Sequence, residues 1–139
     1  NMKNSARKIE GTGNDQVMLS ERGTFFGYNM LINDFRALKI MQDTGYPVCY
    51  DATHSVQLPT SLGTVSGGQR EFIPGLVRAA AASGIHALFM EVHDDPDNAR
   101  SDPATQLHLK NVEMVLTQAV AVHALRAEMV REWGDEDLK

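Results

Sequence analysis

Val48-Cys49-Tyr50-Asp51-Ala52-Thr53-His54-Ser55-Val56-Gln57-Leu58-Pro59, followed by a loop closing on Ser66-Gly67-Gly68-Gln69-Arg70, decides the fold. A short apolar run delivers Asp51 and His54 at its downstream end. Small and turn-forming residues follow, and Gly67-Gly68 leads into a segment of helical spacing. Strand, polar end, loop and helix in that order are the grammar of a βα unit. In parallel α/β proteins reactive groups gather where strands end, because the strands hold them rigidly while the loops reach over a ligand.

The flanking sequence repeats this grammar. Met2, Ala6 and Ile9 fall at helical spacing, and Gly11-Thr12-Gly13-Asn14 reads as a stop. Residues 16–20, centred on Val17-Met18-Leu19, read as a short buried strand ending in Glu21-Arg22-Gly23. Residues 24–33 read as a loop, with Gly27 and Asn29 as turn formers and Phe25, Phe26 and Tyr28 packed beneath it. Asp34 is a good N-cap for a helix over 35–43, with Phe35, Leu38 and Met41 on one face and Gly45 and Pro47 closing it.

Downstream, the helix after Gly68 is expected to bury Phe72, Leu76, Val77 and Ala80 and to stop at Gly84, with Pro74 in its first turn. Ala87-Leu88-Phe89-Met90-Glu91 is a third strand, running into His93, Asp94 and Asp95. A helical turn is expected over 96–99 and a bend at Ser101-Asp102-Pro103. The longest helix spans 109–130, with Val112, Val115, Leu116, Ala119, Val122 and Leu125 on one side, and residues 132–139 form a charged tail expected to fray. Three strands thus recur at intervals of roughly 30 to 40 residues, each followed by a helix, as in a (β/α)8 barrel or a doubly wound sheet. All three end in charged or imidazole groups, which favours the barrel with its site on the C-terminal rim.

A chain of 139 residues suits one domain or part of a larger one. Asn1-Met2-Lys3-Asn4 is unlike a translation start and no strand precedes the first helical segment, so the βα series is expected to lack its opening. The formal charge of −5, with no cluster of lysine and arginine, argues against nucleic acid as a partner. A few local arginines would still suffice for phosphorylated substrates. No run approaches the roughly 18 apolar residues that span a bilayer, and no signal-peptide pattern is visible. The expectation is a soluble, cytoplasmic protein without a membrane partner. The single Cys49 forms no internal disulfide, which fits a reducing compartment.

His54, Glu91 and Asp102 are the set with the most chemistry. One imidazole and two carboxylates can bind a divalent cation such as zinc, iron or manganese and leave room for a fourth ligand and a water. The bland reading has Glu91 and Asp102 capping loops or pairing with arginines. Arg22, directly after a strand, can present its planar fork to a phosphate or carboxylate, or pair with Glu21. Ser66-Gly67-Gly68 can cradle an anion on backbone N–H groups or simply make a tight turn. His93 is a second imidazole on the same rim, whereas His86, His108 and His123 read as surface or packing residues. Cys49, among apolar neighbours, reads as a buried inert thiol.

Four stretches carry a family resemblance: Ser-Glu-Arg-Gly-Thr-Phe-Phe-Gly-Tyr-Asn at 20–29, Asp-Ala-Thr-His-Ser-Val-Gln-Leu-Pro at 51–59, Gly-Thr-Val-Ser-Gly-Gly-Gln-Arg-Glu-Phe at 63–72 and Leu-Phe-Met-Glu-Val-His-Asp-Asp-Pro-Asp at 88–97. In that order they resemble 3-deoxy-D-manno-octulosonate 8-phosphate synthase. The resemblance runs from residue 2 to about 130 and covers the C-terminal half of that family's barrel. It implies a homotetramer of (β/α)8 TIM barrels, this chain supplying roughly the last three βα units plus a preceding helix, as one unit over 1–131 with the tail at 132–139. It implies condensation of phosphoenolpyruvate with D-arabinose 5-phosphate, releasing phosphate, in lipopolysaccharide biosynthesis. Related synthases making a seven-carbon sugar acid or sialic acid match the Thr-His-Ser-Val-Gln and Ser-Gly-Gly-Gln-Arg stretches less well. Read alone, the chain is alternatively a non-catalytic half barrel or interaction module.

The resemblance also implies roles. Arg22 contacts the phosphate of phosphoenolpyruvate; His54 is a metal ligand beside the reacting carbon; Glu91 and Asp102 are further ligands; Gln57 and the loop to Ser66 cover the arabinose phosphate site. The fourth ligand of the metal-dependent subclass is a cysteine on the first strand, for which Cys49 is on the wrong strand. Ser101 and Gln106 stand where metal-independent members differ, and so lean toward the metal-dependent group. Thr60, Ser61 and Met30 depart from the usual glycines and asparagine.

Overall fold

The computed structural model describes the backbone of residues 2–62 and 65–134 and the side chains of residues 2–59 and 67–134. In chain order the elements are α1 (Met2–Glu10), β1 (Leu19–Glu21), β2 (Thr24–Gly27), β3 (Met30–Ile32), α2 (Phe35–Gln42), β4 (Val48–Asp51), β5 (Gln57–Leu62), β6 (Val65–Gly68), α3 (Ile73–Ser83), β7 (Ala87–Phe89), β8 (Val92–His93), β9 (Leu107–His108) and α4 (Val112–Trp133).

β1, β4 and β7 lie side by side, all parallel, in that order. The register sets Glu21 against Tyr50 and Asp51 against Phe89, so the three strands finish level with one another. β4 is central and buries Val48, Cys49 and Tyr50 in succession, as a strand covered on both faces must. The core gathers Leu38 and Met41 of α2, Ile73, Val77 and Ala80 of α3, and Leu19, Val48 and Tyr50 of the sheet. Helices packed on a parallel sheet make this an α/β fold. Because the strands run the same way, Arg22, His54 and Glu91, each just past a strand end, are delivered to one rim.

Local chemistry explains the helix bounds. The Asp34 carboxylate accepts the Arg36 amide at 3.1 Å and opens α2 as a side-chain N-cap. The Arg36 guanidinium grips the same carboxylate and holds it below the usual carboxylate range. Pro74 sits in the first turn of α3, where its missing N–H costs nothing. Gly84 ends that helix at φ 84°, and a side chain there would also strike the Arg126 guanidinium, 2.6 Å from where its Cβ would lie.

Several expectations need correction. Residues 24–33 form an antiparallel hairpin, with Tyr28 and Asn29 at φ 56° and 53° in its turn. Its aromatics are not packed underneath: Phe26 is 79% and Tyr28 94% exposed. The first strand spans Leu19–Glu21, later than the expected residues 16–20 and beginning at the last residue of their Val17-Met18-Leu19 centre. The stretch after His54 is a second hairpin, β5 and β6, pairing Gln57 with Gly68 and Leu58 with Gly67. The third strand is not followed directly by a helix, because β8 pairs in parallel with β9 before α4 begins. On α3, Ile73 takes the buried place expected of Phe72, which is exposed. On α4, Val115 is buried, but Leu116 and Leu125 of the expected inner face are exposed. That helix continues to Trp133, past the expected start of the tail, and residues 135–139 lie outside the described residues.

Candidate active site

At the end of β4 the chain turns through a single 3-10 turn, His54–Val56, organised by Asp51. One Asp51 oxygen accepts the His54 amide at 3.0 Å and faces the Thr53 hydroxyl at 3.4 Å. The other lies 2.8 Å from His54 Nδ1. Ser55 Oγ donates to the Asp51 carbonyl at 2.6 Å and tightens the turn. The imidazole lies stacked against the Phe89 ring, with centroids 5.9 Å apart. Since an ionised carboxylate only accepts, Nδ1 carries the proton and the lone pair of a neutral His54 is on Nε2. Nε2 faces Glu91 Oε2 at 3.5 Å.

Glu91 is fixed from both ends. Its amide donates to Thr53 Oγ1 at 3.0 Å. Its Oε1 accepts from Gln106 Nε2 at 3.0 Å and from Ser101 Oγ at 3.2 Å, which leaves Oε2 turned to His54. Gln106 also donates to the Ser101 carbonyl at 2.7 Å, so the bend at 101–106 is folded over the carboxylate. Asp102 adopts a left-handed backbone at φ 47°, a conformation Asp tolerates better than most residues. Gly68 meets this bend closely, since a Cβ there would lie 2.3 Å from Thr105 Cγ2 and 2.8 Å from the Ala104 carbonyl. Gly68 thus serves close approach of β6 to this bend, and the Gly67-Gly68 pair lies within a strand, not in a turn leading straight into a helix.

Gln57, at the first position of β5, spans the remaining gap. Its Nε2 donates to Asp102 Oδ1 at 2.6 Å, and its Oε1 accepts from Arg22 Nη2 at 2.6 Å. Glu21 does not hold Arg22 in these contacts; its Oε1 accepts the Gly23 amide at 2.5 Å.

Donor atoms of His54, Glu91 and Asp102 all lie within 4.8 Å of one another, each half-buried. The set fits a divalent metal on its own chemistry. A neutral His54 sets one lone pair against another at Glu91 Oε2, a repulsive arrangement that a cation between them relieves. The hydrogen bond the imidazole donates to Asp51, and those that Gln106, Ser101 and Gln57 donate to the carboxylates, are the outer contacts that orient metal ligands.

The residues singled out from sequence distribute unevenly. Arg22, His54, Gln57, Glu91 and Asp102 come together, while the side chain of Ser66 lies outside the described residues. His93 is outside the metal-competent set; its Nδ1 accepts the Asp95 amide at 2.9 Å. His86 Nδ1 accepts the Val48 amide at 3.1 Å, a structural role. Cys49 is buried, and burial pushes its thiol up, away from the thiolate a nucleophile needs. Sequence reading missed the Asp51 contact to His54, although the three-residue spacing past a strand end was visible, and it missed Thr53 as the anchor of Glu91.

The model of the DAHP synthetase I family matches residues 1–127 of this chain. A 2-dehydro-3-deoxyphosphooctonate aldolase from Protochlamydia amoebophila is 51% identical over 124 residues, covering 89% of this chain and 45% of the relative. Proteins of the same name from Methylococcus capsulatus and Caulobacter vibrioides are 56% identical over 115 residues and 52% over 124, covering 83% and 89% of this chain. The chain therefore spans less than half the length of these relatives, 41% and 43% in the last two.

Proposed function

The chain belongs to the DAHP synthetase I family, with the resemblance to 3-deoxy-D-manno-octulosonate 8-phosphate synthase matched by its curated relatives, and from that premise we propose that it carries part of the active site of such a synthase. The reaction is the condensation of phosphoenolpyruvate with D-arabinose 5-phosphate and water, giving 3-deoxy-D-manno-octulosonate 8-phosphate and phosphate. The observation that carries the reading is the convergence of Arg22, Gln57, His54, Glu91 and Asp102 on one rim of a parallel sheet. The barrel, the unit spanning 1–131 with its tail at 132–139, the homotetramer and the cytoplasmic location belong to the same proposal.

In this reading the enol carbon of phosphoenolpyruvate attacks the sugar aldehyde, water adds to the neighbouring carbon, and the tetrahedral phosphate intermediate collapses with loss of phosphate. The Arg22 fork holds the phosphate of phosphoenolpyruvate and keeps the anionic partners in line. His54, beside the reacting carbon, keeps Nε2 as an acceptor because Asp51 occupies Nδ1. Phe89 shields one face of the imidazole from water. Gln57 and the loop to Ser66 would cover the arabinose phosphate site, as the resemblance implies. His54, Glu91 and Asp102 would hold a zinc, iron or manganese ion, which when bound supplies a Lewis acid to orient or polarise a carbonyl or lower the pKa of a water.

The test joins this chain to the amino-terminal segment of the Protochlamydia amoebophila relative and follows phosphate release. Turnover requiring both substrates, abolished by a strong chelator and restored by a divalent transition metal, is the expected result. A folded hybrid without turnover would overturn the reading in favour of a non-catalytic half barrel. Arg22→Ala in the hybrid is expected to raise KM for phosphoenolpyruvate by about tenfold or more, the worth of one charge-assisted contact.

A further inference from the structure

The site contains a link that none of these roles requires. Gln57 stands between a cation and an anion, and its amide satisfies each with opposite ends. A guanidinium has only donors and must meet Oε1; a carboxylate has only acceptors and must meet Nε2. The charges at its two ends therefore leave one amide orientation. The guanidinium withdraws density through the amide and makes Nε2–H a stronger donor to Asp102, so the two bonds reinforce each other. Both are short, 2.6 Å each. Arg22 belongs to the loop after β1, Gln57 opens β5, and Asp102 lies in the bend over Glu91, so three separate segments share the link.

We propose that Gln57 is a positioning residue that makes anion binding at Arg22 and divalent-cation binding at His54, Glu91 and Asp102 mutually cooperative. This rests on the proposed metal and phosphate sites. Arg22 uses one Nη2 donor toward Gln57, and a guanidinium has five N–H donors in all, so an anion on the others can engage the fork without breaking the link. An anion that immobilises Arg22 immobilises Gln57 and, through it, Asp102, and the ordering of that ligand is then already complete when the metal arrives. Linkage makes the effect reciprocal: whatever factor the anion adds to metal affinity, the metal adds to anion affinity.

Cobalt(II) is titrated into the 139-residue chain, and into the hybrid synthase, with and without inorganic phosphate, and affinity is read from ligand-field absorption. Phosphate is expected to tighten cobalt binding by about fivefold or more, in the range of ordinary coupling between sites. In Gln57→Leu, which keeps the bulk but removes both hydrogen bonds, that factor should fall below about two while cobalt still binds. Gln57→Asn, too short to span both partners, should behave the same way and serves if the leucine variant misfolds. Coupling that persists in both variants would mean that phosphate and metal meet directly, and would overturn the role of Gln57. Cobalt binding unaffected by phosphate in the unmutated chain overturns the coupling while leaving the metal site intact, whereas no cobalt binding at all overturns the metal site and the coupling together.

Discussion

The strand-end rim and the outer side of α4 satisfy their chemistry in opposite ways. On the rim, Asp51, His54, Gln57, Glu91, Ser101, Asp102 and Gln106 find hydrogen-bond partners within the chain, at 2.6 to 3.2 Å. On α4, among the described residues, Val115 is the buried one, while Leu116, Val120, Leu125, Met129 and Trp133 stand exposed. Polar groups demand a specific neighbour at hydrogen-bond distance, so their pairing is settled locally by a few residues. An apolar stripe demands only cover, and helical period marks the stripe without saying what provides it. The rim is held by specific hydrogen bonds, with the Gln106 Oε1 buried and unpaired among the described residues; the flank is not covered by the described residues.

The largest expected contrast is in stability. Leu38, at 0% exposure beneath the sheet, should cost about 2–5 kcal/mol when changed to Ala, from lost burial and the cavity left behind. Leu125→Ala on the exposed flank, at 56% exposure, should cost less than about 0.5 kcal/mol in the same chemical denaturation experiment. Equal costs would mean that the flank is covered in solution and would remove the comparison.

A smaller effect sharpens the rim. Asp51→Asn keeps the shape of the turn but lets an amide N–H face His54 Nδ1, so the imidazole tautomer is no longer dictated. Cobalt affinity is expected to drop about 10- to 100-fold, the usual cost of losing an outer partner of a histidine ligand. Unchanged affinity, with an unchanged nitrogen-15 signature for the imidazole tautomer, would show that Asp51 organises the turn but not the ligand.

The smallest effect concerns the alkaline limb. Tyr50 donates to Asn33 Oδ1 at 3.1 Å inside the core, and burial pushes its phenol up to about 12. The unfolded chain loses that proton near pH 10, so the contribution is intact below pH 10 and is lost as pH rises from there toward 12. Tyr50→Phe should cost about 1 kcal/mol at neutral pH and flatten the decline in that window. A variant that declines as steeply as the unmutated chain would place the alkaline loss elsewhere.

How much of this was legible in sequence follows the same division. The apolar triplet at 48–50, the Asp34 cap, the Pro74 first turn and the Gly84 stop are local signals, and each marks an element the structure contains. The hairpins were hidden because their strands lack the usual marks. Pro59, Gly67 and Gly68 sit in β5 and β6, and the β2–β3 turn places two non-glycine residues, Tyr28 and Asn29, at positive φ. β9 is two residues long and carries no period at all. At the site, His54, Glu91 and Asp102 were legible as residue types after strands, and parallel topology then brought them together. The Gln57 link and the Gln106 clamp were not, because a hydrogen bond across 45 or 15 residues leaves no spacing in the sequence to read.

The central claim is that five side chains, Arg22, His54, Gln57, Glu91 and Asp102, make one site for a cation beside an anion. Cobalt(II) absorption of the 139-residue chain tests it most directly. The account predicts saturable binding of one equivalent, with ligand-field bands that disappear in His54→Ala. Absence of saturable binding, or bands that survive His54→Ala unchanged, would contradict it.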